Sequence, residues 1–347
     1  MKKRNVCLAL CLILVLAFCG CGNQSSIETA EGADERVADA YVDAMEYFAE
    51  KDSYYGFWEV SAGYACYGDE IYGSELDLSD ESDKQRGAIM LAHIMNGENP
   101  YNMDGKDLVA DLQAQGTEGA FAIPVLNFLG LQAAGAEMDA ATEKAFVEYC
   151  CEQLRTLSAG PDIGGWAAVA LSRYADNPAY SDLIDDAVAG YVDVVSKNLA
   201  SGTMGSDGIT YGCVVMGLTA LTDGGMDGMD PTTDSPWIDM DPLAVMYENL
   251  INGEENVSDY YKSQYYLEFT DLYRVLYEDQ DMAWIRCGVN ADRLAALIAE
   301  AEAFVGDPAV DAALEAAKAL SEEELAEKVP SWGKIYYDLF DAVKAAK

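Results

Sequence analysis

Two kinds of helical pattern alternate along this chain. In the first kind, apolar and small residues occupy every side and charge is rare. Residues 56–68, GFWEVSAGYACYG, are the first instance, and similar segments begin near residues 86, 118, 164, 208 and 262. The second kind is amphipathic and more charged, at residues 34–51, 106–115, 139–158, 178–200 and 242–252. A helix apolar on all sides must be buried on all sides, and an amphipathic one covers it. The pattern predicts an all-α fold in residues 33–285: a closed ring with about six inner and six outer helices. The inner segments start about 30, 32, 46, 44 and 54 residues apart, so the repeat is degenerate and not a regular solenoid. Proline is scarce, at 9 residues, and turn signals fall at the predicted helix ends.

From about Val289 the pattern changes. VNADRLAALIAEAEA is an Ala- and Glu-rich amphipathic helix with Asn290 placed as its N-cap. Gly306-Asp307-Pro308 breaks it, and further short helices follow to Lys347. Residues 286–347 therefore read as a small C-terminal helical bundle, either packed on the ring or serving as a spacer.

The N-terminus bears on compartment. MKKR is a short basic stretch, and residues 6–18 form an apolar run well short of the roughly 20 residues that cross a bilayer. The run ends in Cys19-Gly20-Cys21-Gly22-Asn23, which resembles the lipobox of bacterial lipoproteins, with the small Gly20 before the acylated cysteine. The resemblance implies a signal peptide at 1–20, lipidation of Cys21 and a body anchored by lipid to the outer face of the bacterial membrane. Residues 21–32 are polar and aperiodic, as a flexible tether would be. Two acyl chains suffice for stable anchoring.

Charge narrows the partners. The chain carries 21 Lys+Arg against 61 Asp+Glu, a net charge of −40, and loses three more cations with the leader. Such a surface repels phosphate backbones, which argues against nucleic acid. Past the leader the cysteines are Cys66, Cys150, Cys151, Cys213 and Cys287: an odd number, two adjacent, without CxxC. That implies no disulfide framework, and Cys66, Cys151 and Cys213 read as small buried hydrophobes. The single histidine, His93, lies on an apolar helix face and reads as a packed residue, so no metal or cofactor is expected. The loop 223–241 is rich in Asp and Gly, which suits a hard cation, but its spacing does not match an EF-hand and solvated acids are the simpler reading.

LAHIMNGENPYNMDGKDLV at 91–109, GWAAVALSRYA at 165–175 and GLTAL at 217–221 resemble stretches of secreted bacterial α/α toroids, of the terpenoid cyclase and protein prenyltransferase-like superfamily. The likeness spans roughly 34–284 and extends to the toroid of intrinsic factor and transcobalamin, whose members bind a corrinoid. It implies fold more than activity. The prenyltransferase zinc set is not matched by the lone His93. The cyclase DxDD acid is approached by Asp239-Met-Asp241-Pro, without the last Asp, and by Asp182–Asp186 on an amphipathic helix. No GxSxG, HExxH, P-loop or dinucleotide fingerprint is present.

In such a ring the inner helices line a central space. Trp58, Phe121, Trp166, Tyr211 and Tyr265 fall near the starts of inner helices, with Asp162 and Gln264 beside them. Aromatics with a few polar groups compose a ligand pocket, or else simply fill the ring. Trp237, in the Asp-rich loop, is placed as a lid or a staple. The expected function is a non-catalytic binding lipoprotein for a corrinoid, lipid-like molecule or glycan. The alternatives are a toroid enzyme, cyclase-like or polysaccharide-cleaving, with acids drawn from Glu59, Asp162 and Asp239, or a surface scaffold with a filled ring.

Overall fold

The computed structural model describes residues 29, 35–49, 51–79, 81–82, 85–117, 123–201, 208–223 and 259–347. The leader, Cys21, Phe121, Trp237, Asp239 and the predicted helix 242–252 lie outside the described residues.

The fold is all-α. Among the described residues, six helices form its inner layer: α2 (Gly56–Tyr67), α3 (Arg86–Met95), α5 (Pro124–Ala133), α7 (Pro161–Ser172), α9 (Gly208–Asp223) and α10 (Asp259–Glu278). Each packs on the next in that order, and α10 packs back on α2, so their contacts form a closed cycle. Their burial follows from composition. Every residue of α5 is buried, as is every residue of α7 from Ile163 onward. Neither helix offers an apolar stripe; it offers an apolar circumference, which only enclosure satisfies. Pro124 and Pro161 start the two helices at a position where a missing N–H costs nothing.

Four amphipathic helices cover this layer among the described residues: α1 (Glu35–Phe48), α4 (Leu108–Gln115), α6 (Ala140–Thr156) and α8 (Ser181–Ser201). Asp139 caps α6 by accepting from the amides of Ala141 and Thr142, and Asp107 caps α4 from Ala110. Helix α1 covers α2 and α4 covers α3, and among the described residues no outer helix intervenes between α2 and α3. A 3-10 turn at Gly68–Ile71 and a short strand, β2 (Glu75–Asp77), stand there instead, and β2 pairs in parallel with β1 (Ser53–Tyr55). The reason lies in residues 72–85, YGSELDLSDESDKQ, whose few apolar positions alternate and cannot form a helical stripe.

Small residues set the closest approach in the ring. A Cβ added to Gly165 would sit 2.0 Å from the carbonyl oxygen of Cys213, and one on Gly217 would sit 2.6 Å from that of Gly165. Helices α7 and α9 therefore touch backbone to backbone.

Beyond α11 (Ala283–Arg286), the C-terminal segment forms α12 (Ala291–Ala301), α13 (Pro308–Lys318), α14 (Glu322–Leu325) and α15 (Gly333–Ala346) around an apolar core of its own. Asn290 caps α12, accepting from the amide of Arg293 at 2.9 Å. The segment packs directly on the ring. The amide of Val289 donates to the Ala133 carbonyl at 3.0 Å, and that of Gly333 to the Gly135 carbonyl at 2.8 Å. Asn99 donates to Asp341 at 2.7 Å, and Arg293 pairs with Asp69 at 2.8 Å. All five cysteines past the leader are buried and unpaired with one another.

Candidate ligand-binding site

The N-terminal ends of the inner helices hold an aromatic cluster. Trp58 lies 5.3 Å from Trp166 between ring centroids, Trp284 lies 6.0 and 5.9 Å from the two, and Phe57 lies 5.7 Å from Trp284. Trp284 donates to Ser61 Oγ at 3.3 Å. Beside this cluster runs a buried polar network. Trp166 Nε1 donates to Cys213 Sγ at 3.2 Å, and the Cys213 thiol donates to Glu268 Oε1 at 3.1 Å. Gln264 donates to the same oxygen at 3.2 Å. Burial, followed by the nearby Glu268 carboxylate, pushes the Cys213 thiol well above its ordinary range. A thiol held protonated is a poor nucleophile, so Cys213 works here as a structural donor.

Of the residues the sequence placed in a pocket, Trp58, Trp166 and Gln264 thus come together. Tyr211 and Tyr265 are also buried, and Asp162 is half-buried in the first turn of α7. Cys213, Glu268 and Trp284 join them without having been singled out. Glu59 forms an ion pair with Lys51 and accepts from the Tyr55 amide, which occupies its carboxylate at the start of α2.

A large cavity lies at the other end. A chamber of about 1100 Å³ sits where the C-terminal ends of α2, α7, α9 and α10 meet the segments leading into α12 and α15. Because these helices share one direction, their unpaired carbonyls and negative dipole ends converge on it. Arginines answer them. Arg286 donates to the carbonyls of Tyr64 and Ala65, each at 3.1 Å, and Arg274 donates to that of Cys66. Arg293 donates to those of Arg286 and Cys287 at 3.1 and 2.9 Å. Arg173 follows α7 and donates from Nη2 to the carbonyl of Lys328, while its Nη1 is enclosed and has no acceptor. Burial pulls the Arg173 guanidinium below the usual arginine range.

Apolar wall is supplied by Met45, Val275, Met282, Ile285 and Leu325. The acids of the wall, Asp69, Glu70, Asp281, Asp292 and Glu327, are exposed, whereas the four arginines are half-buried. Acids therefore mark the rim and guanidinium groups the interior. Close by, Asp271 is fully buried and accepts the Ala283 amide with both oxygens at 3.0 Å. Burial pushes its carboxyl up to about 7, opposed by Arg286, by that hydrogen bond and by Arg274.

Among the described residues, no group of His, Cys, Asp and Glu is arranged to hold a metal ion, and no helix is long and apolar enough to cross a membrane. Comparison of the chain with protein-family models, with curated proteins and with solved structures gives no significant match.

Proposed function

We propose that this chain is an extracellular lipoprotein, tethered through acylated Cys21, whose α/α-toroid body binds a small molecule in the chamber beneath its C-terminal bundle. The observation that carries this reading is the chamber itself, about 1100 Å³ and walled by two parts of the chain. Ligand pockets run to roughly 300–1,000 Å³, and mix apolar wall with a few fixed polar groups in the same way. The cyclic order of inner-helix contacts supports the toroid, and the basic start, apolar run and Gly20-Cys21 support the anchor. A binding role is favoured over acid–base catalysis because Glu59 is held by Lys51 and neither Glu59 nor Asp162 lines the chamber.

Native mass spectrometry of the mature protein purified from its own host is the test. A retained small molecule, lost on denaturation, is expected; a bare mass at every collision energy speaks against binding. For the anchor, Cys21→Ala should release the protein from the membrane fraction and abolish labelling by a palmitate analogue. Unchanged membrane association of that variant would refute lipidation.

A further inference from the structure

We infer that the chamber takes an oxyanion, a small molecule bearing a carboxylate or phosphate, and that Arg173 is its principal cationic contact. This deepens the binding reading above and rests on it. Four observations converge. The chain is strongly acidic, with a net charge of −40, yet half-buried arginines face this cavity of about 1100 Å³ and acids stay at the rim.

The four arginines are not equivalent. Arg293 has Asp69 as counter-ion at 2.8 Å, and Arg274 has Glu278 at 2.9 Å. Arg286 donates to two carbonyls at the end of α2 and to Gln280 Oε1 at 2.7 Å, so its donors are engaged by neutral acceptors. Arg173 has no carboxylate within ion-pair distance among the described residues, and one of its terminal nitrogens has no acceptor at all. Asp281 on the same wall acts on Arg173 only from beyond ion-pair distance. A desolvated guanidinium without a contact counter-ion or a full set of acceptors is unfavourable to keep in a fold. An anion in the chamber supplies a contact counter-charge and the missing acceptor, in the planar geometry that guanidinium groups match best.

The alternative role of Arg173, tying the ring to the C-terminal bundle through Lys328, needs only one donor and no positive charge. It leaves the second nitrogen unexplained. It also predicts that removing Arg173 weakens the fold, whereas an anion contact predicts that the empty protein tolerates the loss or gains stability.

The experiment is isothermal titration of the full mature chain with phenyl phosphate, benzoate and uncharged benzamide, for the wild type, Arg173→Met and Arg173→Lys. The thermal midpoint of each unliganded variant is measured alongside. At least one anion should bind the wild type tenfold or more tightly than benzamide. Arg173→Met should weaken that anion about 10- to 100-fold, the worth of one charge-assisted contact, with its midpoint unchanged or raised. Arg173→Lys should retain part of the affinity. Phenyl phosphate and benzoate separate a phosphate-reading site from a carboxylate-reading one. Equal binding of benzamide and both anions, binding by none of the three, or an Arg173→Met variant that keeps both fold and anion affinity, overturns the inference. A retained neutral molecule in the host-purified protein overturns it too while leaving the binding function intact; a bare protein removes the binding function itself.

Discussion

Gly165 and Cys213 are in backbone contact: the carbonyl oxygen of Cys213 occupies the space, 2.0 Å away, where any side chain on residue 165 would begin. Gly217 meets the Gly165 carbonyl from the opposite side, so α7 and α9 cannot separate to admit even a methyl group without moving the ring.

Gly165→Ala should therefore destabilise the fold by about 3 kcal/mol or more, at the upper end of overpacking effects. Gly190, on the outer helix α8, is the matched control. A Cβ there meets only Arg155 Cγ at 3.8 Å, and Gly190→Ala should stabilise by about 0.5–1 kcal/mol through the unfolded chain. Urea denaturation of the two variants checks both signs at once.

Asp271 sets a pH dependence. Its buried carboxyl titrates near 7 instead of the ordinary 3.8, so between those values the native state holds a proton that the unfolded chain has released. The stability linked to this group is present below about pH 4 and is lost as pH rises through 7. Asp271→Asn keeps an oxygen for the Ala283 amide but cannot ionise. Its stability relative to wild type should climb across that window, by up to about 4 kcal/mol. Parallel stability curves for the two proteins between pH 4 and 8 would show that Asp271 stays ionised.

Gly333 controls docking of the C-terminal bundle. A Cβ on it would lie 1.7 Å from the Ala134 carbonyl oxygen, and its amide holds the Gly135 carbonyl. Gly333→Ala should loosen α12–α15 from the ring while leaving each with its own core. Hydrogen exchange should rise at the amides of Val289 and Gly333 and stay unchanged within α7; uniform exchange across the chain would contradict this.

Trp284 joins α11 to the aromatic cluster of α2 and α7, and is nearly inaccessible at 2% exposure. Trp284→Ala should cost about 3–5 kcal/mol, the range for deleting a buried large aromatic. A loss under 1 kcal/mol in thermal or chemical unfolding would mean the cluster collapses around the gap.

The inner layer was legible because its signal is local. Ile163 to Ser172 contains no charged residue, and no surface position tolerates such a stretch. The site was less legible. Trp166 and Gln264 signalled a meeting of polar and aromatic groups at the helix starts, but their partners Cys213 and Glu268 resemble an ordinary small hydrophobe and one acid among many. The chamber left no trace in the linear pattern. Arg173, Arg274, Arg286 and Arg293 stand apart in the chain, each looking like a solvated charge, and only the docking of α11 and α12 against the ends of α7 and α10 gathers them. The direct passage from α2 to α3 without an outer helix agrees with the polar run 72–85, which offers no helical stripe.

The arginines that clasp helix-end carbonyls are already immobilised before any guest arrives. An incoming molecule would meet side chains whose torsions folding had frozen, so recognition need not be slowed or weakened by ordering them again. The same clasp limits adaptation: exchanging Arg274 or Arg286 to suit a different guest would also uncover the end of α2, which ties selectivity in this chamber to the integrity of the ring.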